Sequence, residues 1–351
     1  MFKLYALTVM SLFIAVTAKA QSGDLALFDE KDETSQSVET PKKDDALFNF
    51  MGIKIPNISF SSSTQEDNSV ATITRRAENG DVAAQLQLGY AYLYGQEGLK
   101  IDYEKAFYFY ELAANQNDPI GLNNLATLYY NGVGVKRSPK KAAEIFIKAS
   151  KLGNADAATN LGFMYLSGNG IEKDIAKGQQ YLEQAASKGN VLAGFMTGYA
   201  YYKGFNRQIN YHIAAPLIKK AADEGLDEAQ LTIADMYIKG QGYPRNYNIA
   251  VKYLLKAYKQ GNVEAMLLLG EIYSGKTKYP ADLSVAYVMY SLASVRGVTT
   301  AYEKLQILES KLEADKVAQA QNETSQYSEQ ISQLTAYVRQ TYGANLRHFL
   351  R

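Results

Sequence analysis

One pattern of apolar and polar positions runs through the middle of this chain six times. It restarts at Gly80, Asn117, Gly153, Gly189, Gly225 and Gly261, a step of 36 residues with one extra residue in the first copy. Four places into each copy sits a small residue: Ala84, Gly121, Ala157, Ala193, Ala229, Ala265. Four later comes Leu88, Leu125, Leu161, Thr197, Ile233 or Leu269, followed at once by Gly89, Ala126, Gly162, Gly198, Ala234 or Gly270. A tyrosine column closes the series at Tyr92, Tyr129, Tyr165, Tyr201, Tyr237 and Tyr273. Spacings of four put these residues on one face of a helix. The Gly/Ala column lets a neighbouring helix approach closely, which outweighs the roughly 1 kcal/mol that an interior glycine costs.

The pattern also punctuates itself. Gly95, Gly132, Gly168, Gly204 and Gly240 follow the tyrosine by three, where a helix C-cap belongs, and Gly275 is shifted by one. A short loop leads to Asp102, Ser138, Asp174, Asn210, Asn246 and Asp282, all good N-cap residues. A second helix follows, with small residues at Ala106, Ala142, Gly178, Ala214, Ala250 and Ala286, then Ala113, Ala149, Ala185, Ala221, Ala257 and Ala293. A fixed period of this size is the signature of a solenoid of helical hairpins. Each hairpin is expected to bury its column tyrosine, removing about 150–250 Å² from water, so that none is stable without a neighbour.

The residues of the third copy, Gly153 to Lys188, resemble the Sel-one-like repeat (SLR) family, a relative of the tetratricopeptide repeats. They carry the pattern A-x-x-x-L-G-x-x-Y-x-x-G-x-G and then D-x-x-x-A-x-x-x-x-x-x-A-A-x-x-G almost whole. The resemblance spans about Thr72 to Lys311. Thr197 in place of leucine, Gly178 in place of alanine, and the loops of copies four and six depart from it. It implies an all-α, right-handed superhelix of about six hairpins. It also implies adaptor work: assembling envelope complexes, tuning a membrane sensor, or mediating host-cell interaction.

The flanks add an expected address. Lys3, an apolar run from Leu4 to Val16 broken only by Thr8 and Ser11, and Ala18-Lys19-Ala20 before Gln21 read as a secretory signal peptide over 1–20. Residues 21–68 read as a polar, disordered leader. Its apolar islands, Leu25-Ala26-Leu27-Phe28 and Ala46 to Phe60, read either as a motif that docks on a partner or a membrane surface, or as a segment that packs on the solenoid itself or serves only as linker. Residues 69–79 form a half repeat with Ala77 in register. The six repeats occupy 80–116, 117–152, 153–188, 189–224, 225–260 and 261–296. Over 297–351 the pattern decays into a helical cap. Leu305, Leu308 and Leu312 stripe one helix to about Gln319. After a polar break, Ile331, Leu334, Val338 and Tyr342 stripe a last one ending near Gly343. That last stripe is expected to fold back on the array or to meet a partner.

Composition narrows the chemistry. The chain has 351 residues, a net charge of +1, no cysteine and two histidines. Disulfides, thiol nucleophiles and cysteine metal sites are therefore excluded, and no global field draws nucleic acid. His212 sits just inside a helix start without a positioned partner, and His348 sits near the end, so neither reads as a catalytic base. The glycine pairs of the loops recur in register as turns and follow no strand, which disqualifies them as phosphate loops. No catalytic residue, metal or cofactor is expected, nor any nucleic acid or small-molecule substrate.

What remains is surface. Stacked hairpins are expected to present a concave face lined by first helices. Positions flanking the Leu and Tyr columns should be its open residues: Gln87, Tyr90, Asn124, Thr127, Asn160, Phe163, Tyr199, Tyr202, Lys203, Asp235, Lys239 and Glu271. Asn124 and Asn160 hold the same repeat position, where carboxamides could bind a peptide backbone. Phe163, Tyr199 and Tyr202 add rigid aromatic area of the kind enriched at hot spots. The expected role is a non-catalytic scaffold of the bacterial envelope, periplasmic or surface-exposed, binding an outer-membrane protein or a membrane sensor. A periplasmic regulator of a sensor kinase and a peptidoglycan-associated factor are the alternatives.

Overall fold

A computed structural model describes residues 69–350, leaving out the side chains of 343–345 and 347–350. The expected signal peptide and leader lie outside these residues. Sixteen α-helices and no strand occur among them. Helix α1 (Val70–Glu78) is the half repeat, with Ile73 and Ala77 buried. Six hairpins follow. They pair α2 (Val82–Tyr94) with α3 (Tyr103–Asn115), α4 (Pro119–Asn131) with α5 (Pro139–Lys151), and α6 (Ala155–Ser167) with α7 (Ile175–Ser187). Then come α8 (Val191–Lys203) with α9 (Tyr211–Asp223), α10 (Asp227–Lys239) with α11 (Tyr247–Lys259), and α12 (Val263–Glu271) with α13 (Leu283–Ser294).

The caps act at the places the pattern marks. Gly95, Gly132, Gly168, Gly204 and Gly240 are left-handed and end their helices. Each expected N-cap of a second helix accepts a backbone N–H through its side chain. The same residue's own N–H donates to the carbonyl of the column tyrosine at 2.8 to 3.0 Å in all six copies. This bond fixes the width of the hairpin turn. In the sixth copy α12 runs into a π-turn, Ile272–Lys276, and Gly275 supplies the left-handed residue there at φ 81°. The chain kinks at that glycine, one place sooner after the column tyrosine than in the other copies.

The small-residue columns form the spine. The six alanines from Ala113 to Ala293 are all 0% exposed. A Cβ added at Gly270 would lie 2.5 Å from the Tyr290 ring, and one at Gly89 2.7 Å from the Tyr110 ring. The glycine is thus the space into which the second helix inserts a tyrosine. The tyrosine column departs from expectation: Tyr237 and Tyr273 are buried, while Tyr92, Tyr129, Tyr165 and Tyr201 are half-buried. Their rings lie at the hairpin edge, where Tyr92 stacks on Phe109 and Tyr165 on Tyr181. Lys105, Lys141 and Lys177 cover the outer faces of Tyr92, Tyr129 and Tyr165 at 5.0 to 5.7 Å, a favourable cation–π placement.

The C-terminal region differs from the expected single helix. Residues 299–325 form two helices, α14 (Thr299–Glu309) and α15 (Ala314–Ser325), both packed on α13 as a further hairpin would be. The bend lets Leu308 and Ala320 both reach the core. The last helix, α16 (Gln333–Leu350), starts after Ile331, which is exposed, and runs past Gly343. It folds back over the array, and Val338, Tyr342 and Leu346 join the core of repeats 3 to 6.

Candidate functional site on the first-helix face

Residues seven and ten places into each copy stand three apart on the first helix, so they project from the same side of the stack. Nine of the expected site residues lie there, with Tyr202, Lys203 and Lys239 a turn further along, but the structure covers many of them. Asn124, Thr127, Phe163, Tyr199 and Tyr202 are buried, against the expectation of open positions. Gln87, Tyr90, Asn160, Asp235 and Glu271 are half-buried, and Lys203 and Lys239 are exposed. Tyr90 rests on Tyr94 with ring centroids 4.6 Å apart.

The carboxamides meet one another across adjacent first helices. Asn123 donates through Nδ2 to Asn124 Oδ1 at 3.2 Å, and Asn160 Nδ2 donates to Asn123 Oδ1 at 3.4 Å. The Tyr342 hydroxyl of α16 then donates to Asn160 Oδ1 at 2.6 Å. At the other end the Tyr110 hydroxyl faces Asn124, and burial pushes that phenol well above its ordinary range. Buried amides must be satisfied. In this chain of side chains Asn124 Oδ1 and both polar atoms of the Asn160 amide find partners without any peptide backbone.

Helix α16 crosses the face from repeat 5 to repeat 3. Its Tyr342 ring stacks on Phe163 at 4.5 Å. Arg339 reaches Asp227 Oδ2 at 2.6 Å and the Gln260 carbonyl at 3.0 Å. Thr335 Oγ1 accepts from the Asp227 N–H and donates to the Gly225 carbonyl, both at 3.0 Å. Ser332 Oγ donates to that same carbonyl at 2.7 Å. The approach is anchored as well: Tyr327 donates to the Tyr258 carbonyl, the Gln330 N–H donates to the Lys259 carbonyl, and Arg296 pairs with Glu329.

None of Asp227, Thr335 and Arg339 was among the expected site residues. A signal for them exists in the repeat pattern. Five first helices are capped by Asp81, Asp118, Asn154, Asn190 or Asn262, each followed by an apolar residue. The fifth copy instead has Leu226 and then Asp227, and α10 has no side-chain cap of its own.

Beside α16 the face stays open. A cavity of about 380 Å³ spans repeats 4 to 6, lined by Tyr199, Tyr202, Lys203, Asp235 and Glu271 over a floor of Leu231, Leu267 and Leu268. Five expected site residues therefore meet in one place, with Lys239 at its edge through a 2.7 Å bond to Asp235. Tyr202 donates to Asp235, and Lys304 holds Glu271 at 2.5 Å. Lys203 lies over the Tyr199 and Tyr202 rings at 5.6 and 5.3 Å. Burial, with the nearby Glu228 and Asp235 charges, pushes the Tyr199 phenol up to about 12. Tyr202 is raised further by burial and by its bond to Asp235. Both tyrosines are thus neutral donors at physiological pH.

A second cavity, about 220 Å³, opens between repeats 3 and 4 and is lined by Leu166, Leu182, Met196, Thr197, Phe205 and Arg207, among others. It sits where Thr197 replaces the column leucine and where the repeat-4 loop departs from the pattern. Among the described residues no group of three or more His, Asp or Glu could hold a metal ion, and no helix is long and apolar enough to cross a membrane.

The Sel1 repeat family matches six segments of the chain: 82–118, 119–154, 155–190, 192–226, 227–262 and 263–297. A stretch of 108 residues is 29% identical to an ERAD-associated E3 ubiquitin-protein ligase component of Arabidopsis thaliana. That match takes in 22% of this chain and only 18% of the relative. Among solved structures, a protective antigen present in uropathogenic Escherichia coli strains, displaying an SLR fold, superposes with a TM-score of 0.56 at 23% identity, covering 86% of this chain and 71% of that one. A Sel1 repeat protein from Oxalobacter formigenes gives 0.54 at 24% identity, covering 76% of this chain and all of that one.

Proposed function

Since the chain belongs to the Sel1 repeat family, whose members are generally protein-interaction scaffolds, we propose that it is a non-catalytic adaptor of the bacterial cell envelope. It binds a protein or peptide on the first-helix face. The observation that carries this reading is the open cavity over repeats 4 to 6. There, aromatic rings, an apolar floor and fixed charges of both signs converge, the composition of a protein-binding hot spot rather than of a reaction centre. The N-terminal apolar run with its Ala18-Lys19-Ala20 site supports export. The partner is then an envelope protein: an outer-membrane protein or the outer domain of a membrane sensor. Contact with a host cell is the wider role in view.

Site-specific photocrosslinking in intact cells tests this. A photoreactive residue replaces Glu264, which is exposed and lines the cavity, or Glu144, which is exposed on α5. Position 264 is expected to give a discrete adduct with one envelope protein, and position 144 none. Equal labelling from both positions, or no adduct from 264, refutes the reading.

A further inference from the structure

We propose that the first-helix face of repeats 3 to 5 is a receptor for an amphipathic helix, that α16 is its resident occupant, and that a partner binds by presenting a helix with arginine and tyrosine three residues apart and displacing α16. The inference rests on the reading of this face as the partner-binding one and names what it takes.

Repeat 5 is shaped for a helix laid across it rather than for its own stability. Where the other copies cap themselves with Asp or Asn, it has Leu226, which is fully buried, and an acceptor for its first helical N–H, that of Asp227, comes from Thr335. Where the other copies continue with an apolar residue, it has Asp227, a carboxylate 1% exposed that receives Arg339. A charge is buried this deeply only when a counter-charge is built to meet it. Repeat 3 supplies the second point of recognition: Asn160 takes the Tyr342 hydroxyl and Phe163 takes its ring. Arg339 and Tyr342 are one turn apart, so the two points read a helix in a single register.

Alongside these points runs an apolar strip. Val338, Tyr342 and Leu346 recur every four residues and are all buried. Helix recognition through such a strip is a common mode. Thr335, Arg339 and Tyr342 make polar contacts from the occupant, and the Arg339 side chain keeps 39% of its exposure. The segment before α16 is fastened to α11 by separate bonds from Tyr327 and Gln330. The helix can therefore leave while its root stays. The open cavity beside it offers an incoming chain a first foothold. Occupation in cis sets a threshold: a groove free in about one molecule in a hundred weakens a partner's apparent affinity about a hundredfold.

The test uses the full chain and a fluorescent synthetic peptide of residues 333–350. The peptide is titrated against wild type, against the release variants Tyr342→Ala and Arg339→Ala, and against Tyr342→Ala combined with Phe163→Ala. Amide exchange of α16 reports release in each variant. Both release variants are expected to bind the peptide at least tenfold more tightly than wild type. Adding Phe163→Ala should abolish that gain, and a peptide carrying Tyr342→Ala should bind at least tenfold more weakly. Equal binding by wild type and both variants, binding insensitive to Phe163, or an α16 that stays docked in both variants overturns the proposal. The outcome uses no envelope partner. Its failure is therefore read separately from a failure of the crosslinking.

Discussion

Thr335 meets the start of a helix that begins 108 residues before it: its hydroxyl accepts the N–H of Asp227, the first residue of α10, at 3.0 Å, whereas Asn190 accepts that of Ala193, the third residue of α8. Thr335→Val keeps the shape and removes the hydroxyl. It is expected to cost about 1–2 kcal/mol, in the range of a lost N-cap with a buried donor left unpaired. Thr335→Ser should cost much less. Urea unfolding gives the size. Amide exchange gives the place: the first turn of α10 should open sooner, and that of α8 should not change.

Arg339 and Asp227 form a pair of unequal exposure, the carboxylate enclosed and the guanidinium partly in water. Arg339→Met strands the buried charge and is expected to destabilise by about 3 kcal/mol, the lower end for a broken buried pair because Arg339 is partly solvated. Asp227→Asn combined with Arg339→Met should recover part of that loss. A double-mutant cycle with no coupling between the two would contradict the pairing.

Gly270 and Tyr290 are expected to depend on each other. Gly270→Ala drives a methyl group into the ring 2.5 Å away and should cost about 1–3 kcal/mol through overpacking. In copy five the same two places hold Ala234 and Leu254, both 0% exposed. Gly270→Ala with Tyr290→Leu should therefore be more stable than Gly270→Ala alone, as judged by thermal unfolding. Should the second change add to the damage, the two columns are not matched as described.

Alkali should undo the array before acid does so through these groups. Burial pushes the Tyr199 phenol up to about 12, and burial with the Asp156 charge does the same for Tyr337 on α16. A phenol with a raised folded pKa binds its proton more tightly when folded. Its contribution is complete below about pH 10 and is lost as pH climbs towards 12, at up to about 1.4 kcal/mol per pH unit for each group. Helicity and tyrosinate absorbance should change together in that window, and Tyr337→Phe should shift the midpoint upward. If all phenols titrate near pH 10 with helicity intact, the burial argument fails.

The repeat pattern made the hairpins legible because its determinants are local. Caps sit at fixed offsets, and glycine columns mark where helices touch, so one copy predicts the next. The tyrosine column misled for a physical reason: a ring at a hairpin edge is covered on one side by a second-helix aromatic and on the other by a lysine. Periodicity alone does not tell that from a core position. The expected binding residues share one side of the stack, but their openness was not readable. Asn160 and Phe163 were covered by a helix encoded far downstream.

The sequence by itself determined the six-fold unit, its turns and the face its first helices share, since each depends on residues within one or two repeats. It also held, in Leu226 and Asp227, the two departures that prepare repeat 5 for a visitor. Only the tertiary structure decided what visits. A hydroxyl from Thr335, a counter-charge from Arg339 and a hydroxyl from Tyr342 act across 108, 112 and 182 residues. No local spacing rule links positions so far apart; folding the tail back over the array brings them together.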